Sequence, residues 1–190
     1  MAFEQVLGVL EVRKIKTIHL FNRTMEKAVH FRQRLLDFGV EAEIMVADQV
    51  NKVVETADIV CCSTRSNDPV FDGNDLQDGT HINGVGSYLP TMREVDLLTI
   101  KKSGKIVVDD VQSAKEEAGE LIYANKSGEW RFEDLYGGLS QLSMDDTIVR
   151  DSDKEITFFK SVGAAYFDLV VAKGIYQKAK QLGLGHDIEV

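Results

Sequence analysis

The chain has 190 residues, with 22 Lys and Arg against 31 Asp and Glu and a formal net charge of −9. The length suits one ordinary domain, or one with a short extension, and 44% hydrophobic residues supply a core that should bury about 70% of the unfolded surface. The acidic balance argues against a nucleic-acid partner, and the adjacent Cys61 and Cys62 make no disulfide framework. The longest apolar run, 162–172, is cut by Asp168 and too short to span a bilayer, so a cytoplasmic chain without a membrane partner is expected.

Taken in order, residues 16–21 read as a strand. A helix over 24–38 follows, with Thr24 as N-cap, Gly39 as its stop, and Ala28, Phe31, Leu35 and Phe38 at helical spacing. The pattern then predicts a strand at 41–46, a short helix at 50–56, and a strand at 59–62. This last run has no polar alternation, so it should be buried on both faces. Strands at 81–85 and 105–108 flank a helix around 93–101, and the lysines of 101–105 read as a solvated element end. One helix is expected over 111–123, with Glu116, Glu117 and Glu120 exposed, then a short helix near 132–141 and an acidic loop. A last strand at 156–160 leads into a terminal helix over 162–182. Strands separated by helices make an α/β fold with a mostly parallel, doubly wound sheet.

In such sheets ligands bind beyond the carboxyl ends of the strands, which selects four places. At Phe21-Asn22-Arg23-Thr24 the acidic residue that would accept ribose hydroxyls is lacking. Asn22 removes the negative charge, and Arg23 adds a planar cation that can pair with a 2′-phosphate; the same residues equally fit a plain turn capped by Thr24. Ser63 and Thr64 offer hydroxyls after the 59–62 strand, or form an ordinary polar turn. Gly84-Val85-Gly86 permits close approach of a flat ring or pyrophosphate, or is only a turn. At Lys160-Ser161-Val162-Gly163 the amides either face an anion or cap a helix.

Other chemistry is not encoded. His19, His30, His81 and His186 have no metal-ligand spacing. Cys61 and Cys62 alternate across a strand and cannot form a two-thiolate site, and Asp109 and Asp110 likewise face opposite ways.

Together these segments resemble the ornithine cyclodeaminase/mu-crystallin family. The matching stretches are Phe21-Asn22-Arg23-Thr24, Ala57-Asp58-Ile59-Val60, Asp78-Gly79-Thr80-His81-Ile82-Asn83-Gly84-Val85-Gly86, Arg93-Glu94-Val95-Asp96, Val107-Val108-Asp109-Asp110, Glu117-Ala118-Gly119-Glu120-Leu121 and Phe159-Lys160-Ser161-Val162-Gly163. The resemblance implies a Rossmann-like nucleotide-binding domain over 1–190. In it Asn22, Arg23, Thr24, Ser63, Thr64, Gly84, Val85, Gly86 and Ser161 surround a nicotinamide dinucleotide, NADP rather than NAD. It further implies a small amino-acid or imine substrate and a homo-oligomer, or a partner that supplies a missing N-terminal domain.

Two departures qualify it. The family's opening strand, its Gly-x-Gly-x-x-Ala/Gly turn and its substrate domain have no counterpart in these 190 residues. The chain is therefore expected to be the C-terminal part of a longer protein, inactive alone. In a Rossmann order the absent strand is the sheet's centre, which leaves two edges about 10 Å apart. Either a partner, a refolded N-terminal segment or direct closure would then fill the gap. Secondly, Tyr88 stands where cyclodeaminases carry a catalytic aspartate, and Met92 where they carry a lysine. A phenol with a pKa near 10 is a poor carboxylate substitute. The expectation is an NAD(P)-dependent reductase of cyclic ketimines or an amino-acid dehydrogenase. An ornithine cyclodeaminase and a non-catalytic, crystallin-like dinucleotide binder are the alternatives.

Overall fold

The computed structural model describes residues 1–142, 150–186 and 188. Phe3, Val6 and Leu7 share a face of helix α1 (Ala2–Val12), which packs them against β1 (Thr17–Leu20), α2 (Met25–Phe38) and β2 (Glu43–Val46). Helix α2 stops at Gly39, whose φ of +95° suits a residue without Cβ. Its Ala28 and Leu35 are buried with Phe3, Leu20 and Ile44 in a small core of their own.

The rest of the chain builds a larger unit. Helix α3 (Val50–Val54) leads to β3 (Ile59–Cys62) and β4 (His81–Gly84). Helix α4 (Leu97–Lys102), β5 (Ser103–Val108), α5 (Val111–Glu117) and α6 (Gly119–Ser127) follow. A two-residue strand β6 (Gly137–Gly138), α7 (Leu139–Leu142), β7 (Ile156–Lys160) and the long α8 (Ala165–Leu182) complete it. Ile82, Ile106, Val108, Leu121 and Phe158 lie at the centre of its core.

Among the described residues the strands form two sheets, β1-β2 and β3-β4-β7-β5-β6, and all their pairings are parallel. The carboxyl ends within each sheet therefore share one edge. The order across both sheets is a doubly wound α/β array with a break between β1 and β3, the position the family resemblance gives to a further central strand. Of the fillings expected there, direct closure does not occur and the N-terminal segment is helical rather than refolded.

Several expectations are corrected. β3 is an edge strand rather than one buried on both faces: Cys62 is buried on one face, and Cys61 on the opposite face is exposed. The helix expected over 93–101 begins only at Leu97, with Asp96 capping it through the Thr99 amide at 2.7 Å. The helix expected over 111–123 breaks at Ala118, because Gly119 is pressed against the carbonyls of Leu89, Pro90 and Met92 and the axis must turn there. That break turns Glu120 inward to 2% exposure. Residues 132–141 form a 3₁₀ turn, β6 and the start of α7 instead of one helix. Lys105 is not a solvated end; it is buried beside Asp151 at 2.8 Å and Glu155 at 3.7 Å. Positions 143–149 of the acidic loop lie outside the described residues.

Helix α8 buries none of its side chains, and Leu169, Val170 and Ile175 are each about two-thirds exposed (69%, 66% and 65%). Among the described residues no helix is long and apolar enough to cross a membrane.

Candidate functional site

Each candidate residue sits where a parallel strand ends. After β1, the Asn22 side chain accepts a hydrogen bond from the Thr24 amide at 2.9 Å, an Asx turn that aims the chain into α2. Thr24 occupies the N-cap position with extended backbone, but its hydroxyl makes no cap hydrogen bond; the carbonyl instead accepts from the Lys27 amide at 3.0 Å. Arg23 is exposed.

After β3, Ser63 is half-buried, and the Thr64 amide and hydroxyl both donate to Glu94 Oε1, the hydroxyl at 2.8 Å. After β4, the Gly86 and Ser87 amides donate to Glu94 Oε2 at 2.7 and 3.2 Å. One buried carboxylate thus ties two strand tips together. A Cβ on Gly86 would run into the Thr64 backbone, and one on Gly84 would meet the Phe158 ring at 2.8 Å. Both glycines are therefore demanded by the protein's own packing. After β7, the Ser161 amide donates to the Gly84 carbonyl at 3.0 Å. Its hydroxyl donates to Asp109 Oδ2 at 2.7 Å, and the Val162 and Gly163 amides reach the same oxygen at 3.1 and 2.9 Å. The anion expected at those amides is thus the protein's own Asp109, in place of a helix-bound ligand.

The tips are brought together in a line. Asn22, Ser63 and Thr64 line one cavity of about 720 Å³, Gly86 backs onto Thr64, and Gly84 is bonded to Ser161. Val85 is buried behind the line, with its amide on the Cys62 carbonyl at 2.9 Å. Tyr88 lies just beyond, half-buried, with the Arg65 guanidinium 5.9 Å from its ring.

Beneath the β4 tip lies a buried polar cluster. Lys160 Nζ donates to the Ser87 carbonyl at 2.5 Å and to the Ser87 hydroxyl at 2.7 Å, and it sits 3.5 Å from Glu120. The Ser87 hydroxyl in turn donates to Glu120 at 2.8 Å. Burial pushes the Glu120 carboxyl above its ordinary value, with the Lys160 charge opposing that rise. The cluster fixes the backbone of 84–87, which is itself buried.

Glu94, Asp109, Glu120 and Lys160 organise the site, yet the sequence pattern gives none of these four side chains a role in it. Glu94 is thirty residues from Thr64, and no spacing rule links a carboxylate to the amides of two separate strands. Asp109 and Lys160 were legible in principle, since each lies at a strand's carboxyl end.

A nicotinamide dinucleotide fits this donor set. Among the described residues Arg23 and Ser63 make no ion pair or hydrogen bond, so a cation and a hydroxyl remain uncommitted beside the cavity that Asn22 lines.

Residues 1–183 match the sequence model of the ornithine cyclodeaminase/mu-crystallin family. A Delta(1)-pyrroline-2-carboxylate reductase of Bacillus cereus is 39% identical over 191 residues, covering 98% of this chain and 58% of that protein. Among solved structures, Thermococcus litoralis Delta(1)-pyrroline-2-carboxylate reductase in complex with NADH and L-proline has a TM-score of 0.92 at 32% identity, over 98% of this chain and 57% of that one. An archaeal alanine dehydrogenase dimer with bound NAD has a TM-score of 0.88 at 30% identity, over 99% of this chain and 57% of that one. The chain thus spans little more than half the length of the relatives it matches.

Proposed function

The chain belongs to the ornithine cyclodeaminase/mu-crystallin family, and from that premise we propose that it forms the dinucleotide-binding part of an NAD(P)-dependent oxidoreductase acting on cyclic ketimines or amino acids. The observation that carries this reading is the line of strand tips, with Asn22, Ser63 and Thr64 at one cavity and Gly84–Gly86 and Ser161 continuing it. The reductase and dehydrogenase relatives, two of them with NADH or NAD bound, support it.

A bound nicotinamide dinucleotide would supply a hydride to a carbon–nitrogen double bond. The chain's own residues have three tasks. Glu94 and Asp109 hold the tips in place, so that no reorganisation accompanies binding. Arg23, uncommitted and next to Asn22, pairs with a 2′-phosphate, which favours NADP over NAD. Tyr88, at the position cyclodeaminases give to aspartate, faces the substrate side with a phenol; this supports imine reduction, which requires no carboxylate base, over ammonia loss from ornithine.

The test is calorimetric titration of the 190-residue chain with NADPH and NADH. Because these residues contain no Gly-rich pyrophosphate turn, the expected NADPH Kd is weaker than about 0.1 mM, or about −5.5 kcal/mol. Arg23→Ala is expected to weaken NADPH by about tenfold and NADH by less than about twofold. Absence of saturable binding by either nucleotide, with no nuclear magnetic resonance shifts at Ser63 or Gly86, overturns the reading.

A further inference from the structure

Lys160 ends a strand whose inner face is otherwise apolar. Along β7, Ile156, Phe158 and Lys160 share one face by alternation, and all three are buried. A buried ammonium needs acceptors and a counter-ion. The register sets Lys160 opposite Gly84, which brings its side chain to the β4 tip. There Nζ donates to the Gly84 carbonyl at 3.3 Å, the Ser87 carbonyl at 2.5 Å and the Ser87 hydroxyl at 2.7 Å. An ammonium has three donors, and a neutral amine has two. Glu120, 3.5 Å away, is the facing carboxylate.

Every polar group of Ser87 ends on a buried ionisable side chain. Its amide donates to Glu94, its carbonyl accepts from Lys160, and its hydroxyl donates to Glu120 while accepting from Lys160. Among the described residues no backbone group bonds it. Tyr88 follows directly, and among the described residues its own amide, carbonyl and hydroxyl make no hydrogen bond. A peptide unit is planar, so holding the Ser87 carbonyl oxygen fixes the plane that carries the nitrogen and Cα of Tyr88. The placing of the phenol therefore begins at Lys160.

Resting on the role given to Tyr88 above, we propose that Lys160 is the positioning residue for the Tyr88 phenol. It acts through the Ser87 carbonyl, with Glu120 as the counter-ion that keeps all three of its donors in use. The other titratable groups facing the cluster do not compete for this task. Glu94, in the segment before α4, is committed to the Thr64, Gly86 and Ser87 amides. Cys62 of β3 stays a neutral thiol: burial first, then Glu94, Cys61 and Glu120, push it well above its ordinary 9.0, against the Lys160 charge. Lys160 thus differs from Glu94 and Asp109, which tie the strand tips to one another and not to the residue beyond them.

The experiment uses the 190-residue chain with carbon-13 in the rings of its five tyrosines, the Tyr88 signal being assigned with Tyr88→Phe. The double variant Lys160→Met/Glu120→Gln removes both charges, so that neither is left buried and unpaired. In it the Tyr88 signal should shift while those of the other tyrosines stay, and exchange of the Ser87 amide should quicken by at least about tenfold. Glu120→Gln alone keeps an acceptor for the Ser87 hydroxyl but takes away the counter-ion. Its Tyr88 signal should match the unmodified chain near pH 6 and reach the double variant's position by about pH 9, below the phenol's own titration near 10. Over the same range the unmodified chain should show no such step, because its Lys160 keeps its proton. An unmoved Tyr88 signal in the double variant, a shift shared by all the tyrosines, or a Glu120→Gln signal flat with pH each overturns the proposal. No nucleotide is present, so a failure of dinucleotide binding would sink the function proposed above and leave this result standing.

Discussion

At the scale of single residues, the site is held by carboxylates that take backbone amides. Glu94 is fully buried and accepts from Thr64, Gly86 and Ser87. Glu94→Gln would turn an amide group toward donors already pointing at it, and should cost about 2–4 kcal/mol in urea unfolding. Gly86→Ala adds a methyl where the Thr64 backbone already stands and should cost about 1–3 kcal/mol in the same measurement. The pH dependence has two opposed parts. Glu120 is raised above its ordinary 4.5 by burial, so its contribution to stability is full below that value and is lost as pH rises through its native pKa. His81 is lowered from its ordinary 6.5, chiefly by desolvation and further by Arg150 and Arg13, against an opposing interaction in which its ring donates toward the Asn83 side chain. Its contribution is therefore full above 6.5 and is lost as pH falls through its native pKa. Stability measured against pH should show Glu120→Gln removing the descending part and His81→Gln the ascending part. A slope unchanged in both variants would exclude these groups as its source.

At the scale of elements, helices whose limits are set locally were legible. The 24–38 helix was read with its cap position and its Gly39 stop, and it ends at Gly39 with φ +95°. Elements bounded by distant contacts were not. The break between α5 and α6 comes from Gly119 against the carbonyls of Leu89, Pro90 and Met92, and nothing in the neighbouring sequence announces it. The sequence pattern for that reason places Glu120 on a solvated face, whereas it is buried. Helix α8 is expected only as a long terminal helix; among the described residues it buries no side chain, and its Tyr166 hydroxyl donates to the Asp109 carbonyl at 3.1 Å. Ending the chain after Gly163 should lower the melting temperature by no more than about 2–4 °C and reduce self-association in sedimentation. A larger loss would mean that α8 stabilises the sheet.

At the scale of the whole molecule, the two sheets have separate cores, with five buried residues in the smaller against sixteen in the larger among the described residues. A two-stranded unit with so small a core is marginal alone. Urea unfolding followed by hydrogen exchange should therefore open β1, α2 and β2 at lower denaturant than β4, β5 and β7. Coincident opening would mean that the two cores unfold as one cooperative unit.

The order of strands and helices, the parallel class of the sheet and the placing of Asn22, Ser63, Gly86 and Ser161 at strand ends were readable from residue patterns. Periodicity and turn chemistry act within a few residues and so leave their mark in the sequence. The partners of Glu94, Asp109, Glu120 and Lys160, the edge position of β3 and the division of the strands into two sheets were decided only in three dimensions. Each depends on which peptide groups meet across the sheet, and no local pattern records what lies on a strand's other side.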